Sequence, residues 1–232
     1  MKDLGELKYF LGIEFARSKK GISMHQRKYA LELISEAGLS GAKPAITPID
    51  VNTKLTSRQY DEVNKEKYNT NKDPPADQNT YQRLIGKLLY LTVTRPDILF
   101  GVQTLSQFLQ APKKSHMEAA LRIVKYIKKQ PGQGILLSSN YKNKVTAFCD
   151  ADWAACPNTR RSVTGFMIKF GESLVSWKSK KQTVVSRSSA EAKYRSLATT
   201  IAELTWLLGM LKEIGVEVMQ AVKVFRDSKS AL

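Results

Sequence analysis

Two residue types that often mark disulfide or metal sites are scarce in this chain. Its 232 residues include two cysteines and two histidines. Cys149 and Cys156 form no paired motif, which argues against a disulfide-stapled secreted domain and favours reduced thiols in an intracellular protein, cytoplasmic or nuclear. His25 and His116 lie far apart in sequence without metal-ligand spacing, so we expect both to be structural or surface residues.

Long apolar runs are also missing. No run approaches the roughly 18 apolar residues that a membrane-spanning helix needs. The first residues, MKDLGE, have no secretory signal pattern. The sequence therefore predicts a protein with no membrane partner.

Acidic residues are too few to balance the basic ones. The chain has 37 Lys plus Arg against 21 Asp plus Glu, a formal net charge of +16. Residues 142–232 hold 15 basic and 8 acidic residues, and the rest hold 22 and 13, so the excess is spread over both halves. Such an excess favours a polyanionic partner, nucleic acid above all, because basic side chains release the counterions condensed on phosphates. The alternative is a soluble basic protein without such a partner.

Apolar residues make up 42% of the chain, enough for a real core. Residues 1–50 begin with an apolar strand candidate over 7–15. A basic turn with Gly21 and a second short strand over 22–24 follow, a pattern typical of a hairpin. The next segment predicts a helix over 26–37 that ends at Gly38. Residues 51–79 are polar and contain a Pro-Pro pair at 74–75, so we expect a flexible loop there.

Residues 80–134 have helical periodicity. One helix is predicted over 81–91 and another from Pro96. A third runs from about 115 to 129, with Ser115 as its cap and a glutamate three residues later. Arg122, Lys125 and Lys129 lie on one face of this third helix, where they can contact a phosphate backbone. An ordinary solvated helix face is the alternative.

Residues 142–232 predict strand, strand, strand, helix, strand. The strands are expected at 145–150, 163–170, from 174, and at 222–227. The long helix over 188–214 repeats apolar residues at spacings of four and three. A strand, a crossover helix and another strand imply a parallel pair inside a mixed sheet.

Three carboxylates in this last part each have a short motif of their own. Asp150 ends the first strand in FCDADW (148–153), Glu191 opens the helix in SSAEA (188–192), and Asp227 ends the last strand in VFRDS (224–228). That order can place three hard oxygen ligands at one end of a sheet, where Mg²⁺ can bind them and support two-metal phosphodiester chemistry. Each has a structural alternative: an exposed strand end with a basic neighbour, a helix capping box, and a helix N-cap.

Basic residues lie between the third strand and the long helix of this part. Lys178, Lys180, Lys181 and Arg187 can hold a nucleic-acid backbone near the carboxylates. Two tryptophans, Trp153 and Trp177, occur in the same region. We expect both in the core rather than stacked on bases.

Eight motifs, in order along nearly the whole chain, resemble the C-terminal part of the Pol polyprotein of copia-type LTR retrotransposons. They are LGELKYFLGIE (4–14), QRKY (26–29), YQRLIGKLLYL (81–91), TRPDI (94–98), DADWA (150–154), RRS (160–162), SWKSKKQ (176–182) and SSAEA (188–192). The first four resemble the end of the reverse transcriptase palm with its primer-grip hairpin and the thumb and connection region. The last four resemble that family's RNase H domain.

The resemblance implies an α/β (α+β) fold. It would have a palm-end hairpin and helix over 1–50, a helical thumb and connection region over 80–134, and an incomplete RNase H-like domain over 142–232. Asp150, Glu191 and Asp227 would be the catalytic Mg²⁺ ligands, with Mn²⁺ as an alternative metal. The substrate would be the RNA strand of an RNA–DNA hybrid, and a template–primer is the other nucleic-acid partner implied.

The chain also departs from the family pattern. The paired aspartates of the polymerase lie upstream in the family and are absent here, so we expect no polymerase activity. The family's final acidic position lies beyond Leu232, and another polypeptide can supply the missing segments. Lys193 stands where many relatives carry a second Glu. Three hypotheses follow: a weakly active or inactive RNase H-like product, a non-catalytic nucleic-acid-binding module, and a pseudogene translation without a stable product.

Overall fold

The computed structural model describes residues 5–50, 52–64, 73–140, 143–218 and 220–226. The chain divides into two compact units. The first comprises residues 1–16 and 24–134, and the second comprises residues 17–23 and 135–232. Within the described residues, no helix is long and apolar enough to cross a membrane. The mixed content of helices and strands confirms the predicted α+β class.

The hairpin near the start of the chain has one more strand than the sequence predicted. The strand expected over 7–15 is split into β1 (Tyr9–Phe10) and β2 (Ile13–Ser18), and β3 (Gly21–His25) follows. β1 and β2 pair antiparallel, with Phe10 opposite Ile13. Leu11 and Gly12 between them both have positive φ, 47° and 76°. Two consecutive residues of positive φ are what a tight two-residue hairpin turn requires.

Four helices build the core of the first unit. They are α1 (Arg27–Glu36), α3 (Gln78–Leu91), α4 (Leu99–Leu105) and α5 (Lys114–Lys129), with a short 3₁₀ turn at Pro96–Ile98. The predicted face of α1 is buried, with Ala30, Leu33 and Ile34 in the core. Gly38, just past its end, has a φ of 66°, the left-handed conformation that commonly ends a helix. Apolar periodicity thus predicted α1 and α3, whereas α4 and α5 were expected from helix-start signals at Pro96 and Ser115.

The polar segment that we predicted to be a flexible loop contains ordered structure in its described part. Helix α2 (Arg58–Val63) lies within it, and Leu55, Thr56 and Asp61 are buried. The ammonium of Lys113 lies 2.5 Å from Asp61 Oδ2. A buried carboxylate with a cationic partner can anchor a segment that has little apolar surface. Residues 51 and 65–72 lie outside the described part.

The cap predicted for α5 is also different in the structure. The helix begins at Lys114 with Lys113 as its N-cap residue. Ser115, predicted as the cap, instead donates its hydroxyl to Asp73 Oδ2 at 2.7 Å. The backbone N–H of Lys113 donates to His116 Nδ1 at 3.1 Å. The local pattern predicted Ser115 as the cap, but its hydroxyl binds Asp73, a residue distant in sequence.

The second unit contains a mixed sheet with a long helix. After β4 (Gly134–Ser138), which joins the hairpin sheet in the order β1-β2-β3-β4, come β5 (Val145–Asp152), β6 (Val163–Phe170), β7 (Ser173–Lys181), α6 (Ser189–Glu213) and β8 (Lys223–Phe225). The strand order of the main sheet is β7-β6-β5-β8. β5 pairs antiparallel with β6 and parallel with β8. A parallel pair inside a mixed sheet was predicted and is confirmed. Its strands are β5 and β8, whereas α6 connects β7 to β8, which lie at opposite edges of the sheet.

One face of α6 packs on the sheet, but its register differs from the predicted stripe. Leu204, Leu207 and Leu211 are buried with Cys149 and Phe166 in the core of this unit. The apolar residues that gave the predicted spacing lie at 197, 201, 204, 208 and 211, and Ile201 among them is 49% exposed. The helix is 25 residues long. Along the first half of α6, the buried residues are the small ones at 192, 196 and 200. An apolar spacing pattern does not detect a helix face made of such residues.

Candidate nucleic-acid site at the end of the second sheet

Asp150 lies near the end of β5, on the face of the strand opposite to the core. Val145, Ala147, Cys149 and Ala151 alternate with it and are buried. The Asp150 side chain is 58% exposed. An exposed carboxylate remains hydrated, so Asp150 avoids the cost of burying an unpaired charge.

Helix α6 brings a lysine to this carboxylate. The hydroxyl of Ser196 donates to the backbone carbonyl of Asp150 at 2.7 Å and fixes α6 against β5. Lys193 lies three residues earlier on the same side of the helix. Its Nζ is 3.9 Å from Asp150 Oδ1, and its side chain is only 17% exposed. The structure therefore pairs Asp150 with a basic side chain.

Glu191 takes part in the start of α6. Ser188 is the N-cap, and its Oγ accepts from the Glu191 backbone N–H at 3.1 Å. The Glu191 carboxylate accepts the backbone N–H of Arg187 at 2.8 Å through Oε2. Its Oε1 accepts from Arg195 Nε and Nη2 at 3.0 and 2.8 Å. The backbone hydrogen bond from Arg187, followed by Arg195, holds the pKa of Glu191 below its usual value. The structure thus gives this carboxylate the helix-start role that we kept as an alternative.

Asp227, the third predicted ligand, lies outside the described residues. Among the described residues, no group of three or more His, Cys, Asp or Glu can hold a metal ion. Asp150 and Glu191 both have basic partners. Ion pairs this exposed are weak, because water and salt screen them. Mg²⁺ binding at these carboxylates therefore stays a prediction, and in the structure each described carboxylate has a basic side chain beside it.

The basic residues predicted to hold nucleic acid lie around the same end of the sheet. Asp152 pairs with Val163 on β6, and Val163 pairs with Lys181 on β7, so β7 ends where β5 ends. Lys178, Lys180 and Arg187 are exposed, and Lys181 is half-buried. The Lys181 ammonium lies 3.8 Å from Cys156 Sγ. The register thus places Lys181 at the same end of the sheet as Asp152, and Arg187 contacts Glu191 through its backbone N–H.

Trp153 is a residue that sequence reasoning placed wrongly. It directly follows β5 and is 46% exposed, although we expected it in the core. Its indole Nε1–H donates to the Ser186 carbonyl at 3.1 Å, which holds the ring near the start of α6. The sequence did contain a signal for this exposed position, because Trp153 directly follows two aspartates at the end of a strand. An exposed, hydrogen-bonded indole at a basic surface can stack on bases or sugars.

The basic stripe of α5, in the first unit, is partly covered. Arg122 Nη2 donates to Thr47 Oγ1 at 2.9 Å. The backbone N–H of Ala45 donates to the Lys125 carbonyl at 3.2 Å. Arg122 and Lys125 are half-buried, whereas Lys129 is exposed. A phosphate contact by this stripe stays a prediction, and Lys129 is its most accessible member.

Comparison with known proteins identifies relatives. No protein-family model and no solved structure match the chain. It is 41% identical over 206 residues to the uncharacterized mitochondrial protein AtMg00810 of Arabidopsis thaliana, covering 89% of this chain and 80% of that protein. It is 37% identical to the retrovirus-related Pol polyprotein from transposon RE1 of the same plant, and 33% identical to that from transposon TNT 1-94 of Nicotiana tabacum. Those matches cover all of this chain but only 15% and 17% of the polyproteins. The chain therefore belongs to the family of copia-type retrotransposon Pol polyproteins and AtMg00810-like proteins.

Proposed function

We propose that this chain is the reverse transcriptase and RNase H region of a copia-type Pol polyprotein, and that its second unit binds RNA–DNA hybrid without cutting it efficiently. The strand order β7-β6-β5-β8, with the crossover helix α6 before a strand parallel to β5, supports the RNase H-like assignment. It is the arrangement that the resemblance led us to expect. The net charge of +16 supports a polyanionic partner.

The observation that carries the proposal is the pairing of both described carboxylates with basic side chains. Lys193 lies 3.9 Å from Asp150, and Arg195 lies 2.8 Å from Glu191. Hydrolysis by two metal ions needs carboxylates that are available as ligands. A site whose carboxylates are neutralised by its own cations is better suited to attract phosphates than to bind metal ions.

The surrounding side chains provide the contacts that a nucleic-acid backbone requires. Lys178, Lys180 and Arg187 are exposed at this end of the unit, and arginine and lysine are the usual phosphate ligands. Trp153 adds an exposed aromatic face beside them. Because lysine and arginine side chains of this kind contact phosphates, binding should depend on backbone shape and charge rather than on sequence.

Charge reversal at Lys178 and Lys180 tests this interface. The double variant Lys178→Glu/Lys180→Glu should weaken binding of a fluorescein-labelled RNA–DNA hybrid by about tenfold or more at 0.1 M salt, because an ammonium that attracts a phosphate is replaced by a carboxylate that repels it. Fluorescence anisotropy with the full chain measures the affinity.

The matched control reverses the same charge at the other end of the second unit. Lys212 lies in the last turn of α6 and Lys223 begins β8, and both are exposed. Lys212→Glu/Lys223→Glu should weaken binding by no more than about threefold, the long-range effect of net charge. Equal effects of the two double variants would reject this end of the sheet as the interface.

Weak hydrolysis is the second candidate, because the exposed Asp150 carboxylate is accessible from solvent. Purified chain with Mg²⁺ or Mn²⁺ should leave the RNA strand of a hybrid essentially intact over hours. Cleavage that disappears in Asp150→Asn would establish the nuclease function and remove the claim that the site only binds.

A further inference from the structure

Lys193 has a placement that a flexible surface lysine would not have. Its side chain is 17% exposed, between the fully buried Ala192 and Ser196. Ser196 anchors this part of α6 to the Asp150 carbonyl at 2.7 Å. A lysine stem packed in this way has already lost most of its rotamer freedom, so its ammonium stays near Asp150 at little further entropic cost.

Glu191 does not compete with Asp150 for Lys193, because both of its carboxylate oxygens already accept other hydrogen bonds. Oε2 accepts from the backbone of Arg187, and Oε1 accepts from the Arg195 guanidinium. These bonds begin the helix and form an i,i+4 ion pair along it. Of the charged side chains described, the one paired with Asp150 is therefore Lys193.

We infer that Lys193 acts as a built-in counter-cation that closes the end of β5 to divalent metal ions. A divalent cation approaching Asp150 would meet a held ammonium group, and the repulsion between like charges lowers its affinity. Replacing this ammonium with a carboxylate would place two oxygen ligands close together, the donor type that Mg²⁺ and Mn²⁺ prefer. A single side chain thus decides whether this end of the sheet holds metal.

The test measures Mn²⁺ binding to the full chain without nucleic acid, from the free Mn²⁺ signal in electron paramagnetic resonance. Lys193→Glu should bind Mn²⁺ about tenfold or more tightly than the unmodified chain. Lys193→Gln, which removes only the charge, should gain less. Asp150→Asn/Lys193→Glu should abolish the gain.

Lys212→Glu is the matched control, because it makes the same charge change on the same helix far from Asp150. It should leave Mn²⁺ affinity unchanged. Circular dichroism melts establish that each variant is folded. A folded Lys193→Glu protein with no gain over Lys212→Glu would overturn the inference, and so would an unmodified chain that already binds Mn²⁺ in an Asp150-dependent way.

This inference rests on the proposed function only for the location of the site. Mn²⁺ binding is measured on free protein, whereas the proposed function is tested by hybrid affinity in the Lys178 and Lys180 variants. A chain that fails to bind hybrid but gains Mn²⁺ affinity in Lys193→Glu would disprove the proposed function and support the inference about Lys193.

Discussion

At the scale of single residues, the chain contains a histidine whose role sequence spacing left open between core and surface. His116 is fully buried, and its ring stacks on Phe108 with the centroids 3.8 Å apart. Its Nδ1 accepts the Lys113 backbone N–H, and Nε2 lies 3.1 Å from the Thr56 carbonyl. The proton therefore belongs on Nε2, and the ring is neutral. His116 joins α5 to the start of the polar segment that we had predicted to be a loop.

This histidine should make the first unit sensitive to mild acid. Burial, followed by the charge of Lys113, lowers the pKa of His116 from 6.5 to about 4. Because the folded pKa lies below the unfolded one, the unfolded chain takes up the proton first. The contribution of neutral His116 to the unfolding free energy is then fully present above about pH 6.5. It falls by about 3 kcal/mol as the pH drops toward 4. Urea unfolding at pH 7.5, 6, 5 and 4.5 measures this decrease.

His116→Gln is the comparison variant, since its amide can form similar hydrogen bonds without titrating in this range. It should be less stable than the parent at pH 7.5 but should lose much less stability on acidification. If parent and variant lose stability in parallel between pH 6.5 and 4.5, another group is responsible and the assignment to His116 is wrong.

The comparison of Asp150 and Glu191 shows what sequence can reveal about a site. Their motifs predicted both positions, and the structure places Asp150 near the end of β5 and Glu191 in the first turn of α6. The partners of the two carboxylates were not predictable, because Lys193 reaches Asp150 only after α6 has docked on β5 through Ser196. Glu191 had two uses that a local pattern could not separate. Charge partners are decided by tertiary contacts of a few ångströms, which spacing does not encode.

At the scale of secondary-structure elements, the TRPDI motif (94–98) links two helices through the side chain of Arg95. Arg95 is 2% exposed and forms two hydrogen bonds to Asp97, of 2.9 and 2.7 Å. Its Nη1 donates to the Gln130 carbonyl just past α5 at 3.1 Å. Its guanidinium also lies 5.7 Å from the centre of the Tyr126 ring. The segment between α3 and α4 is thereby tied to the end of α5.

Loss of the Arg95 guanidinium should strongly destabilise the first unit. Arg95→Met leaves the half-buried Asp97 carboxylate and the Gln130 carbonyl without this donor, a defect that typically costs about 3–5 kcal/mol. Chemical denaturation at pH 7 measures the change in unfolding free energy. Arg83→Met on the exposed face of α3 is the control and should change stability by no more than about 0.5 kcal/mol. Equal effects would show that the Arg95 link contributes nothing specific.

Whole elements were predicted better than their ends. The apolar periods located α1, α3 and α6, because each helix must bury one face. The turn at Leu11 and Gly12, helix α2 and the start of α5 were missed. Helix α2 is held by the pairing of Asp61 with Lys113, and the start of α5 depends on the bond between Ser115 and Asp73. Both partners lie about 40 or more residues away, beyond any local pattern.

At the scale of the whole molecule, the chain combines two separately cored units with an excess of positive charge in both halves. Tyr81, Ile85 and Ile123 belong to the first core, whereas Phe166, Ile168 and Leu204 belong to the second. The 37 basic residues against 21 acidic ones produce a field that acts beyond individual contacts. Such a field raises the association rate with any polyanion, while the local site determines which phosphates are neutralised.

Salt dependence separates these two contributions. For binding to a duplex backbone, the logarithm of the affinity falls with the logarithm of salt by about 0.9 for each phosphate neutralised. Lys178→Glu/Lys180→Glu should reduce this slope by about 2 for an RNA–DNA hybrid, whereas Lys212→Glu/Lys223→Glu should leave it nearly unchanged. Anisotropy titrations from 50 to 300 mM KCl measure the slopes. An affinity that does not vary with salt would contradict electrostatic binding altogether. At a defined interface, the number of neutralised phosphates falls only when the lysines of that interface are reversed. The same slope change in both double variants would therefore mean that only the net charge of the chain matters.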